Sequence, residues 1–216
     1  MASVHLAERL LPVARPFEDL HAPRPVLPGP IAPRPVLSVP APFDQLFPYG
    51  GMVRGSLVAV DSLTVALALL AAASAEGTWC AVVGIPSLGL GAVADTGIDL
   101  RRFVVVPTLG EQWAVAVATL LDGFGVVLVR PPQRMPTGDQ RRLVARARER
   151  KSVLVTYGAW AAGGVDLTIR LDRSEWAGLS GDGYGRLTGR RVCVVAQGKG
   201  AAARERRVTT WLPHGC

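Results

Sequence analysis

Cysteine, histidine, lysine and long apolar runs are all scarce in this chain of 216 residues. Cys80, Cys193 and Cys216 are odd in number and far apart, which excludes a disulfide framework and a metal knuckle and fits a reducing compartment. His5, His21 and His214 stand near the two ends with no ligands at metal spacing, so neither a zinc site nor any other metal site is expected. The apolar run Leu63–Ala75 is too short to span a bilayer and Met1–Leu20 has no signal-peptide core, so the expectation is a cytoplasmic protein with no membrane contact. Asp95, Asp99, Asp122, Asp166 and Asp172 are spread over turns and strand ends, where carboxylates commonly bind loop N–H groups, and no acid/base pair emerges.

What is present is positive charge. The formal net charge is +7, and the basic residues are arginine except for Lys151 and Lys199. Such a balance suits phosphates or an acidic partner surface, and serves solubility equally well. The length allows one domain with a sizeable core plus a tail.

The chain is organised around Gly55–Cys80. Leu57–Val60 reads as a short apolar strand, and Leu63, Ala66, Leu67 and Leu70 follow at helical spacing on good helix formers. Asp61 or Ser62 supplies the cap, Gly77 stands where a positive φ is wanted, and Trp79–Val83 reads as a second buried strand. A nucleotide-binding protein of this β-α-β layout carries G-x-x-x-x-G-K-[ST] between strand and helix, whose backbone N–H groups wrap the phosphates while the lysine neutralises them. Here the junction is Asp61-Ser62, with no glycine, no following lysine, and a carboxylate at the helix N-terminus that otherwise attracts anions. No nucleotide cofactor is expected.

Ahead of this unit, Val4, Ala7, Leu10 and Leu11 give a short helix within Met1–Ala14 a narrow apolar stripe, for docking on its own domain or on a partner. Proline is dense from Pro16 to Pro48, and Ala22-Pro-Arg-Pro-Val-Leu27 recurs as Ala32-Pro-Arg-Pro-Val-Leu37, an extended segment of polyproline character that spaces or wraps rather than packs, or offers a docking strip. Residues 1–48 are therefore expected to be helix and linker, and residues 49–216 the domain.

Beyond the centre come a strand at Phe103–Val106, a helix at Glu111–Leu121, a buried strand at Gly125–Pro131 containing Arg130, a helix from Thr137 to Lys151 opened by a capping box ending at Gln140, and a strand at Ser152–Tyr157. Three further β pieces, Val165–Leu171, Tyr184–Ala196 and Arg207–Leu212, look antiparallel. The order predicts an α/β fold: a mostly parallel sheet with helices on both faces, extended by C-terminal antiparallel strands. The arginines of residues 141–151 spread around their helix and read as a solvated face, while Trp176, Gly178 and Tyr184 read as a turn. Arg186, Arg190, Arg191, Lys199, Arg204, Arg206 and Arg207 form the densest basic cluster, the best candidate surface for DNA or a partner.

From about Gly50 onward the chain resembles a RecA-type recombinase core. The resemblance is carried by Gly50-Gly-Met-Val-Arg-Gly55 before the first strand, Gly97-Ile-Asp99 before another, Gly110-Glu-Gln112 opening a helix, and Arg190-Arg-Val-Cys-Val-Val-Ala-Gln-Gly-Lys199 with Arg207–Leu212 as a closing hairpin. Against that family, Asp61-Ser62 replaces the P-loop and Arg130 replaces the Walker B aspartate that holds magnesium, a charge inversion that cannot serve a cation. Ile85-Pro86-Ser87 stands where the family has its water-activating glutamate. The resemblance thus implies a degenerate ATPase, no longer an enzyme. With its Pro-rich N-terminus and basic hairpin, the chain is similar to the bacterial mutasome accessory proteins of the ImuA-prime type, which belong to SOS-induced translesion synthesis. That similarity implies a non-catalytic adaptor for an ImuB-like Y-family polymerase homologue, in the company of an error-prone replicative-type polymerase, RecA and single-stranded DNA, with self-association left open. The rival expectation is a single-stranded DNA-binding or RecA-filament-modulating protein acting through the basic hairpin.

Overall fold

The computed structural model describes residues 34–179 and 184–212, and packing begins at its first residues. Strand β1 (Val36–Ser38) pairs antiparallel with β2 (Gly51–Val53), with Leu37 opposite Met52, and a 3-10 turn at Phe43–Leu46 lies between them. Leu37, Val39, Phe43, Leu46, Phe47 and Met52 are buried in one cluster with the helix that follows. The expected domain boundary at residue 48 is corrected by this packing, which makes the described residues 34–48 part of the domain. The prolines do not prevent it, because Pro35 is used only through its carbonyl, which accepts the Arg54 N–H at 3.0 Å, and the apolar residues between prolines go into the core. The proposed N-terminal helix and the first copy of the Ala-Pro-Arg-Pro-Val-Leu repeat lie outside the described residues.

Strand β3 (Leu57–Val60) and helix α1 (Leu63–Ala75) have the expected bounds. Ser62 is the cap, its hydroxyl accepting the Val65 N–H at 3.5 Å, and Gly77 follows the last turn at φ 93°. The helix differs from a one-faced stripe: every residue from Val65 to Ala71 is buried, and so are Ala73 and Ser74. A helix apolar all round must be covered all round. The sheet covers one side of α1, and the strap of β1, the 3-10 turn and β2 belongs to the same cluster.

Strand β4 (Cys80–Val83) is paired in parallel on both sides but is not the neighbour of β3. After the short helix α2 (Leu90–Asp95) come β5 (Phe103–Val106), helix α3 (Trp113–Gly123), β6 (Val126–Val129), helix α4 (Thr137–Arg150), β7 (Val153–Tyr157), β8 (Leu167–Leu179), β9 (Gly185–Gly198) and β10 (Arg206–Leu212). The sheet order is β10-β9-β8-β3-β7-β6-β4-β5, so β7 and β6 separate the two strands joined by α1. Alternate residues of the parallel strands serve opposite faces. Val58, Val82, Leu128 and Val155 pack on the α1 side, while Leu57, Ala81, Val83, Val127 and Leu154 meet Trp113, Val117 and Leu121 of α3 and Leu143, Val144 and Ala147 of α4. Helices on both faces and antiparallel strands at one edge agree with the expected class.

Three local expectations are corrected. First, β8 runs parallel to β3, with Val58 opposite Leu167, and only β9 and β10 turn back antiparallel. Second, no side chain caps α4, whose N-cap is Pro136. Gln140 instead is buried, and its side-chain oxygen accepts the Ala161 and Ala162 N–H groups at 3.0 and 2.8 Å, tying the loop after β7 to the helix. Third, Trp176 and Gly178 belong to β8 and not to a turn; the ladder to β9 continues past them, with register shifts at Leu171/Arg173 and Ala177/Leu179. Among the described residues no helix is long and apolar enough to cross a membrane.

Candidate functional site

An open parallel sheet offers its ligand crevice at the carboxyl ends of its strands. At that end of β3 the chain passes through Asp61, whose N–H donates to the Ile169 carbonyl at 3.3 Å and whose carboxylate accepts the Leu171 N–H at 2.9 Å. The backbone that would have to wrap phosphates is thereby tied to β8. At the end of β6, Arg130 is exposed, its guanidinium lying 5.7 Å over the Tyr157 ring. Arg130, Tyr157, Gly158, Arg170 and Asp61 line a recess of about 430 Å³. At the end of β4, Ile85 is buried and its carbonyl accepts the Leu88 N–H at 3.2 Å, leaving Pro86 and Ser87 on an exposed turn. This donor set offers guanidinium, phenol ring and a carboxylate already bonded to backbone. It suits anion recognition and stacking. Among the described residues no three His, Cys, Asp or Glu side chains are grouped to hold a metal ion.

The basic cluster of the C-terminal strands does not form one patch in space. Arg207 is bound to Asp172 at 2.8 Å and to Glu205 at 3.6 Å, and the Asp172 carboxylate raises its already high pKa further. Arg190 lies 5.1 Å over the Trp176 ring and donates to the Ser174 hydroxyl at 2.7 Å. Arg206 closes the loop before β10 through the Arg204 and Ala201 carbonyls, each at 3.3 Å. Arg186, Arg191, Lys199 and Arg204 are exposed and make no ion pair among the described residues. Alternation along β9 and β10 sends Arg191 and Arg207 to a different face from Val192 and Val208, while Lys199 stands at the strand end. The helix residues Val4, Ala7, Leu10 and Leu11 lie outside the described residues.

Four of the five α4 arginines stand within ion-pair reach of carboxylates. Arg146 donates to Asp122 through Nε and Nη2 at 2.6 and 2.8 Å, Arg150 reaches the same carboxylate at 3.1 Å, and Arg142 pairs with Asp139 at 3.4 Å.

Sequence reasoning missed the grouping that Lys199 joins. Lys199, Arg34, Arg54 and Arg148 line a cavity of about 400 Å³ together with Tyr49 and Ser56, at the amino ends of β3 and β8. Arg54 belongs to the Gly50–Gly55 motif and Arg148 to the arginine-rich helix, but no spacing in the sequence links them. The guanidinium of Arg34 lies 5.4 Å over the Tyr49 ring. Asp166 also lines the cavity, its carboxylate accepting the Leu57 N–H at 2.9 Å and standing 3.8 Å from Arg148.

Residues 45–162 match the family described as MT3502 N-terminal domain. The chain is 34% identical over 139 residues to protein Rv3395c of Mycobacterium tuberculosis, an alignment that takes in 62% of this chain and 68% of the relative. Among solved structures it is similar to the KaiC-like protein PH0186 of Pyrococcus horikoshii, with a TM-score of 0.53 and 14% identity over 83% of this chain and 93% of that one. At that identity the likeness establishes the fold, which is RecA-like.

Proposed function

The chain belongs to the family of the MT3502 N-terminal domain, and we propose that it is a non-catalytic adaptor of a bacterial damage-tolerance complex, a mutasome accessory protein of the ImuA-prime type. The observation that carries this reading is the state of the nucleotide end of the sheet. Asp61 is bonded to the Leu171 N–H where a P-loop would open toward phosphates, and Arg130 rests on Tyr157 where a magnesium ligand would stand. A RecA-like sheet with this end committed to protein contacts is suited to presenting surfaces. The partner proposed is an ImuB-like Y-family polymerase homologue in the cytoplasm, working with an error-prone replicative-type polymerase on damaged DNA, with RecA as a further candidate partner.

Co-expression with the ImuB-like homologue of the same genome tests the reading. A complex that survives gel filtration is expected, together with a fall in damage-induced mutation when the gene is deleted. Separate elution of the two proteins, with mutation frequency unchanged on deletion, would sink it.

A further inference from the structure

We propose that the cavity at the amino ends of β3 and β8 is a groove for single-stranded nucleic acid, holding phosphates by Arg54, Arg148 and Lys199 and a base at the Arg34–Tyr49 pair. It lies at the opposite end of the strands from Asp61 and Arg130, and it is separate from the hairpin residues Arg191 and Arg207.

The cations arrive from separate elements: Arg34 precedes β1, Arg54 sits in the turn between β2 and β3, Arg148 is in the last turn of α4, and Lys199 follows β9. Like charges brought together in a cleft raise the local positive potential and are costly to group without an anion. The one carboxylate in the lining, Asp166, is engaged by the Leu57 N–H and by Arg148. Arg34, Arg54 and Lys199 make no ion pair among the described residues.

The chemistry favours a nucleotide strand over an acidic peptide. Arginine's planar fork matches phosphate oxygens and stacks on rings, and an aromatic face beside a cationic track is how single strands are held without sequence preference. The volume of about 400 Å³ lies in the range of small-ligand sites and accommodates one nucleotide unit. An acidic peptide would use the charges and draw nothing from the Arg34–Tyr49 stack.

The test uses the full chain and a fluorescein-labelled oligothymidylate, with anisotropy followed across a salt series. Arg54→Glu combined with Lys199→Glu is expected to weaken binding at least about tenfold and to lower the slope of log K against log salt by about 1.4, two phosphate contacts at about 0.7 each. Tyr49→Leu is expected to weaken binding about tenfold through lost stacking. Arg134→Glu with Arg141→Glu makes the same charge change at exposed positions outside the cavity and is expected to leave affinity within about twofold. Thermal melting is run on each variant, and if the first double variant does not melt cooperatively, Arg54→Gln with Lys199→Gln removes the charges without reversing them. The proposal is overturned if both double variants lose affinity equally, if the first loses none, or if the chain ignores the oligonucleotide and binds a poly-glutamate peptide through these residues. No partner protein is in this assay, so a negative result leaves the adaptor reading standing, and loss of the adaptor reading leaves this one standing.

Discussion

Asp122 shows how single carboxylates set the electrostatics here. It sits near the end of α3 and accepts from Arg146 and Arg150 of α4, and the Arg146 hydrogen bond holds its carboxyl below the usual carboxylate range. A group whose folded pKa is depressed contributes stability above its unfolded pKa, near 4 for aspartate, and that contribution disappears as pH falls through the folded value. Asp122→Asn is therefore expected to lower stability modestly at neutral pH, the pair being exposed, and to reduce by the same amount the loss of stability between about pH 5 and pH 3, read from urea midpoints at each pH. An unchanged acid dependence would contradict the pairing. Cys80 makes the opposite case: burial pushes its thiol up to about 12, so it stays protonated at pH 8. Mass mapping after alkylation of the native protein at about pH 8 should find Cys80 unmodified, and modified once the protein is unfolded in denaturant. Little of this was legible in the sequence. Asp122, Asp166 and Asp172 read there only as turn carboxylates, because their partners Arg146, Arg148 and Arg207 come from distant elements that only tertiary packing brings close.

At the scale of elements, α1 and its strap depend on each other. Leu63–Ala75 contains no charged residue, a sign already present in the sequence that the helix is covered on every side, and a reading built only on its apolar spacing passes over it. The cover comes from a proline-rich stretch that composition alone assigns to a linker. Leu37, Phe43 and Leu46 are nonetheless core residues spaced between the prolines, with Leu46 at 0% exposure. Leu46→Ala is expected to cost about 2–5 kcal/mol in urea unfolding, the ordinary range for emptying a fully buried leucine site. A chain starting at Pro33 should melt cooperatively, whereas one starting at Tyr49 should lose at least about 3 kcal/mol or fail to fold, since it exposes several such residues at once. Equal stability of the two truncations would return residues 34–48 to the status of linker. The long β8–β9 ladder was misread for a comparable reason: its glycines suggest turns, while its stability comes from cross-strand neighbours such as Trp176 and Arg190, which are far apart in sequence.

For the whole molecule, the class of the fold was readable because β3, β4, β5 and β6 are short unbroken apolar runs bounded by turn residues. The sheet order was not, since nothing local says that β7 and β6 come between the strands joined by α1. The same division applies to the sites. The residues at the carboxyl end of the sheet, Asp61-Ser62 and Arg130, stand at junctions that are local in sequence and could be named from it. The cationic groove draws on the segment before β1, the β2–β3 turn, α4 and the loop after β9, and exists only once the sheet has formed. Joined together, these features support the proposal that this RecA-like domain acts by holding partners and not by turning over nucleotide. Calorimetric titration of the full chain with the ImuB-like homologue, run with and without ATP and magnesium and followed by assay for released phosphate, tests that claim most directly. The account predicts one stoichiometric complex with the same affinity in both conditions and no phosphate release; a complex that forms only with ATP, or sustained hydrolysis, would contradict it.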